Sequence, residues 1–251
     1  KEILVKDVRD VGGFMSLTPA EGGWRVVIID AADEMNRSSA NAVLKVLEEP
    51  PKRALMLLIS HSPGRLLPTI RSRCRRLNLQ PLSDPQVIEL LRRARPDDLS
   101  DEDAAALAQL AEGSIGRALA LASEGGLELY RDLIAVLTTL PGLDIPALHS
   151  FADKVAGRLG SESDSFRTVT ELLTWWLARL VRVGGRGVAP AEVVAGEGAV
   201  MGRLLRAGGL DQWVEVWEKV SHLFARTDAV NLDRKQVVLD ALLLVARQAR
   251  S

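Results

Sequence analysis

A single cysteine among 251 residues leaves no internal disulfide to build. Cys74 therefore points to a reducing, cytoplasmic setting. No uninterrupted apolar run approaches the roughly 18 residues a membrane helix needs, so no membrane association is expected. The opening stretch K-E-I-L-V-K-D-V-R-D-V alternates charge with apolar residues and lacks the form of a signal peptide. It opens directly into an amphipathic pattern, and more chain is expected upstream of residue 1. A formal net charge of −1 excludes a wholesale basic footprint for nucleic acid but leaves room for a local patch. Also missing is any G-x-x-x-x-G-K-S/T, the glycine-rich loop whose backbone N–H groups cradle phosphates. Either that loop lies upstream of residue 1 or the protein has none.

What is present suits a soluble globular protein, with 47% hydrophobic and 26% charged residues. The length has room for about two domains. Val26-Val27-Ile28-Ile29 is β-branched throughout and predicts a buried strand ending at Asp30. Residues 54–60 predict a second strand ending at Ser60, and Arg75–Gln80 a third. Between the first two, Ala40, Val43, Leu44 and Leu47 recur at helical spacing. Asn36, Ser38 or Ser39 can cap that helix, and Pro50-Pro51 stops it. Upstream, residues 3–16 predict a helix fraying at Gly12-Gly13, followed by a turn at Thr18-Pro19 and Gly22-Gly23. From residue 83 onward the pattern is helical throughout: 84–95, 101–112, 115–124, 127–139, 145–158, 164–183, 200–207, 211–227 and 233–249. Ser100, Asp101 and Ser114 are candidate caps. Gly184 to Gly198, with five glycines, predicts a loop or a loosely formed helix. Trp213 and Trp217, at i and i+4, predict a helix–helix core contact.

Several stretches carry residues capable of chemistry, each with a plainer reading beside it. Ile29-Asp30 has the form of a strand whose terminal carboxylate holds a water on Mg²⁺ next to a bound nucleotide, though many strands end in Asp and then turn. Ala31 follows it, and a methyl group activates nothing. Asp33 and Glu34 lie beyond the strand end and read as solvated first-turn acids. Ser60 stands where a strand neighbouring a nucleotide presents a polar group, but a serine there is common. His61 reads as a turn residue. Arg71-Ser72-Arg73-Cys74-Arg75-Arg76 places four arginines in six residues. That is either a solvated basic edge or a phosphate-directed group, and composition does not choose between them. Gly113-Ser114-Ile115-Gly116-Arg117 opens a helix with a serine cap and puts an arginine against the helix dipole.

The order of V-V-I-I-D-A-A-D-E-M-N, N-A-V-L-K-V-L-E-E-P-P, T-I-R-S-R-C and G-S-I-G-R-A-L resembles the clamp-loader branch of the AAA+ family. The resemblance is strong over about residues 1–125. Beyond that, the likeness is mainly to a helical domain of suitable length.

The resemblance implies an α/β RecA-like core with a partial parallel sheet over residues 1–82. A small helical lid over 83–141 and an all-α collar over 142–251 would follow it. Such subunits assemble through their collars and place a sliding clamp on primed DNA. Carried over, Arg73 is an arginine finger acting in trans, with Ser72 and Cys74 shaping its helix. Asp30 is a degenerate Walker B residue, Ser60 is sensor 1-like and Arg117 sensor 2-like. In active members a glutamate usually follows the aspartate. Ala31 in its place implies a subunit that does not hydrolyse ATP and has no catalytic activity of its own. No cofactor is then required by this chain; ATP and Mg²⁺ belong to the neighbouring subunit. Expected partners are motor subunits of the gamma/tau type and a delta-type subunit, reached through the collar and the Arg73 edge, with clamp and DNA met at the level of the complex. Some members carry a zinc module held by several cysteines; one cysteine implies no metal site here. Two rivals remain open: an active motor subunit whose phosphate loop lies upstream, and a scaffold whose arginines contact nothing.

Overall fold

The structure is a computed structural model describing residues 3–17, 23–95, 99–157, 164–187 and 191–250. The expected turn at Thr18-Pro19 and Gly22 lies outside the described residues. The protein is mostly helical with a small parallel two-stranded sheet, and it divides into two compact units, Lys1–Leu79 and Gln80–Ser251.

In the first unit, helix α1 (Val5–Ser16) precedes strand β1 (Arg25–Ile29). A 3₁₀ turn (Ala32–Glu34) leads to α2 (Arg37–Glu48) and then to β2 (Ala54–Leu58). α1 passes through Gly12 and Gly13 without a break. The strands pair in parallel, with Val27 opposite Met56 and Ile29 opposite Leu58. Those four side chains face a small core with Val8, Val43 and Leu47, built because α2 turns its apolar stripe toward the sheet. The alternate residues Val26, Ile28, Leu55 and Leu57 are exposed on the other face. Asn36 caps α2, its side chain accepting from the Ser39 N–H at 2.9 Å. Buried Ser39 in turn donates to the Ile3 carbonyl at 2.6 Å, tying down the strand-like start of the chain.

After β2 come a second 3₁₀ turn (Pro63–Arg65) and the one-turn helix α3 (Pro68–Arg71), anchored by fully buried Ile70. The third strand expected over Arg75–Gln80 does not form. Residues 75–83 have no regular structure, and Leu77 and Leu79 are 82% and 85% exposed. A strand exists only by hydrogen bonding to a neighbour, and among the described residues the sheet ends at two strands.

The second unit consists of nine helices among the described residues. They are α4 (Asp84–Ala94), α5 (Asp101–Ala111), α6 (Ile115–Ser123), α7 (Gly126–Thr138), α8 (Ile145–Ala156), α9 (Ser165–Arg186), α10 (Glu197–Ala207), α11 (Leu210–Val230) and α12 (Arg234–Gln248). Ser100, Ser114, Asp144, Asp164 and Asp233 each cap the helix that follows by accepting a backbone N–H. One continuous core runs from Val87 to Ala249 and crosses residue 141 without interruption. Trp213 is fully buried there and reaches from α11 to α10, its indole N–H donating to the Leu204 carbonyl at 3.1 Å.

Of the loop or loosely formed helix expected from Gly184, the first residues are helix, because α9 runs on through Gly184 and Gly185 to Arg186. A Cβ on Gly184 would stand 2.8 Å from Leu205 and 2.9 Å from Leu210. The glycine lets helices cross closely rather than breaking one.

Candidate functional site

The ends of the two strands bring one group of candidates together. The Ile59 N–H donates to the Ile29 carbonyl at 3.0 Å and the Ala32 N–H to the Ile59 carbonyl at 2.7 Å, locking the two strand ends. Asp30 and Ser60 therefore share the carboxyl edge of a parallel sheet, the edge where such folds hold ligands. Asp30 is exposed and Ser60 half-buried. Ala31 sits in the left-handed region at φ 57°, ψ 53°, unusual for a residue with a Cβ.

Asp33 is a first-turn acid of the 3₁₀ segment, as expected, but it is half-buried and also bonds to a neighbouring loop. Its carboxylate accepts the His61 backbone N–H at 3.2 Å, joining the segment after β1 to the end of β2. Desolvation pushes the Asp33 carboxyl up, but contacts with its own backbone, the Ser60 hydroxyl, the His61 N–H and the imidazole outweigh it. The net result is a carboxyl below its ordinary range. The Ser60 Oγ is shielded from solvent and makes no hydrogen bond of good geometry. It is therefore near Asp33 without being well aligned to it. Sequence spacing gave no sign of this link, which depends on two loops meeting.

Arg73 belongs to a different part of the same unit. α2 connects two parallel strands, so it must run back against them. Its start lies toward the Asp30 and Ser60 edge, and its end lies near where the strands begin. Twelve residues put those ends about 18 Å apart. The Arg73 Nη2 meets the Oε1 of Glu48, the last residue of α2, at 2.7 Å. Its Nη1 donates to the Thr69 carbonyl at 3.0 Å, an oxygen that also accepts from the Ser72 hydroxyl at 3.1 Å. Ser72 thus shapes the turn that carries Arg73. Cys74 is half-buried, and burial pushes its thiol up, away from a reactive thiolate. The fold does not bring Arg73 to Asp30 and Ser60.

Arg117 lies in the second unit, in the first turn of α6, where the Ser114 hydroxyl accepts its backbone N–H at 3.3 Å. Its Nε is shielded from solvent without a hydrogen-bond partner. The preceding Gly113 has φ 83°, and its carbonyl accepts the Leu82 N–H at 3.0 Å. The first glycine of that motif therefore serves backbone packing. Among the described residues no three His, Cys, Asp or Glu side chains gather as a metal site.

Residues 1–83 match the family model described as DNA polymerase III, delta subunit. The chain is similar to delta-prime subunits of DNA polymerase III. It is 47% identical over 98 residues to the delta-prime subunit of Pseudomonas aeruginosa, covering 39% of this chain and 30% of that protein. To the Escherichia coli delta-prime subunit it is 38% identical over 117 residues, 47% of this chain and 34% of that one. The Escherichia coli tau subunit is 36% identical over 144 residues, 54% of this chain and 22% of its own length. The chain thus spans about a third or less of these delta-prime and tau relatives.

Proposed function

We propose that this delta-prime-like chain is a subunit of the bacterial clamp loader that does not hydrolyse ATP. It acts as a stator and presents Arg73 in trans to the ATP site of a neighbouring motor subunit. On this reading residues 83–141 are a lid, residues 142–251 form the collar through which subunits assemble, and clamp and primed DNA are met by the whole complex. The observation carrying the proposal is the separation of Arg73 from the strand edge of its own sheet, at the far end of α2. An arginine so placed serves a site outside its own subunit better than one inside it. Ala31 supports the same reading, since no carboxylate stands immediately after Asp30 to polarise a water.

The mechanism follows from charge. Phosphoryl transfer spreads negative charge over the transferring group, and a positioned guanidinium stabilises it, typically by about 10³ to 10⁵ in rate. Asp30, Ser60 and Arg117 keep degenerate roles at this chain's own strand edge and in its lid. The test is Arg73→Ala in the full-length protein assembled with its partners. Clamp- and DNA-stimulated ATP hydrolysis at the affected site should drop at least about tenfold. Unchanged hydrolysis would sink the reading.

A second reading, an active motor subunit, draws support from the longer match to the tau relative. Turnover of labelled ATP by the isolated full-length protein would favour it.

A further inference from the structure

We infer that Glu48 is a positioning residue for Arg73: the carboxylate at the end of α2 and the Thr69 carbonyl together hold the guanidinium ready for a phosphate. The inference rests on the reading of Arg73 as an arginine acting in trans. Nη1 and Nη2 each spend one N–H on these partners, which leaves three of a guanidinium's five for a ligand. A free arginine side chain would lose rotamer freedom worth about 2 kcal/mol on being fixed. Here it is restrained before any neighbour arrives.

The position of Glu48 is itself anomalous. An acid in the last turn of a helix opposes the macrodipole. Pro50-Pro51 fixes where α2 stops, so Glu48 cannot slide away from that end. The pair is also half-exposed, with side chains 36% and 50% accessible, and so contributes little to stability. A carboxylate that the helix disfavours and that hardly stabilises the fold is best explained by what it does for Arg73.

The experiment uses the full-length protein assembled with its partner subunits, clamp and primed DNA. It compares Glu48→Gln, Glu48→Asp, Arg73→Ala and the double variant Glu48→Gln/Arg73→Ala. Glu48→Gln should lower kcat about three- to tenfold and leave the KM for ATP unchanged, because the nucleotide's own pocket is untouched. Glu48→Asp should restore more than half of the loss. Added to Arg73→Ala, Glu48→Gln should have no further effect. Thermal midpoints within about 2 °C of the parent would show that folding is intact. If Arg73→Ala is defective while Glu48→Gln is normal, Glu48 has no such role and the reading of Arg73 survives. A loss from Glu48→Gln that multiplies with that of Arg73→Ala also overturns the inference. If Arg73→Ala is silent, both readings fall together.

Discussion

Arg73 and Glu48, 25 positions apart in sequence, meet at 2.7 Å at the end of α2. The contact joins the arginine motif to the Glu-Glu-Pro-Pro turn, two stretches that each look self-contained in sequence. Because the pair is half-exposed, breaking it should cost the fold less than about 1 kcal/mol. Equilibrium unfolding of Arg73→Ala and the parent should superimpose within that margin, so a loss of ATPase cannot be put down to unfolding.

Ala31 should be improved by losing its side chain. A Cβ in the left-handed region costs roughly 1–2 kcal/mol, and the added freedom of glycine in the unfolded chain takes back about 0.4–1. Ala31→Gly is expected to stabilise the first unit by about 0.5–1 kcal/mol. Chemical denaturation checks this, and a clear loss of stability would contradict the backbone geometry at φ 57°.

The two glycines of the Gly113–Arg117 motif should respond in opposite directions. At Gly113 a Cβ would lie 2.6 Å from the Leu82 carbonyl oxygen, at a φ of +83°. Gly113→Ala is expected to destabilise by at least about 2 kcal/mol through strain and backbone overlap. Gly116 is helical and has nothing within 4 Å of its would-be Cβ. Gly116→Ala should stabilise by up to about 1 kcal/mol. Thermal melting of the pair gives the answer.

A buried polar network fixes the entry to α10. Glu197, 1% exposed, accepts from the Tyr130 hydroxyl at 2.8 Å and the Val193 N–H at 2.8 Å, and it pairs with Arg179 at 3.2 Å. Burial, and then the charge and hydrogen bond of Glu197, push the Tyr130 phenol far above its usual range, so it stays a donor. Glu197→Ala strands a buried guanidinium and should cost about 3–5 kcal/mol. Tyr130→Phe should cost only about 1–2 kcal/mol. Urea titration of both variants tests that order.

Acid should weaken the contact between α5 and α7. Arg131 hydrogen-bonds Asp103 and, despite partial desolvation, holds its carboxyl below the ordinary range. A carboxyl depressed on folding adds stability above its unfolded value of about 4, and that contribution disappears as pH falls through the folded value. The pair is partly exposed, so about 0.5–1 kcal/mol is expected. Asp103→Asn should be weaker than the parent by that amount at pH 7, with the gap closing below about pH 4.

Local signals in the sequence were legible where one segment decides its own state. Asn36 and Ser114 cap the helices expected of them, because a short polar side chain satisfies the first N–H groups wherever the chain starts to coil. Of the stripe Ala40, Val43, Leu44 and Leu47, Ala40 and Val43 are buried and Leu47 packs on the small core for the same kind of reason, while Leu44 is only half-buried. Arg75–Gln80 misled because alternation alone cannot supply a partner strand. Gly184 left loop and helix open because a glycine that breaks an isolated helix also allows a tight crossing, and only the positions of Leu205 and Leu210 tell these apart.

The sequence by itself determined where most helices lie, the strands before and after α2, Ala31 after Asp30 and the order of motifs on which the clamp-loader resemblance rests. The helices and strands follow from periodicity and capping, which act over a few residues; the likeness rests only on resemblance of the motifs themselves. Only the tertiary structure decided that Asp33 bonds to His61, that Glu197 gathers Tyr130 and Arg179, and that Arg73 rests on Glu48 away from its own strand edge. Each of those relationships joins residues that sequence spacing leaves apart, and closing the intervening chain is the work of packing.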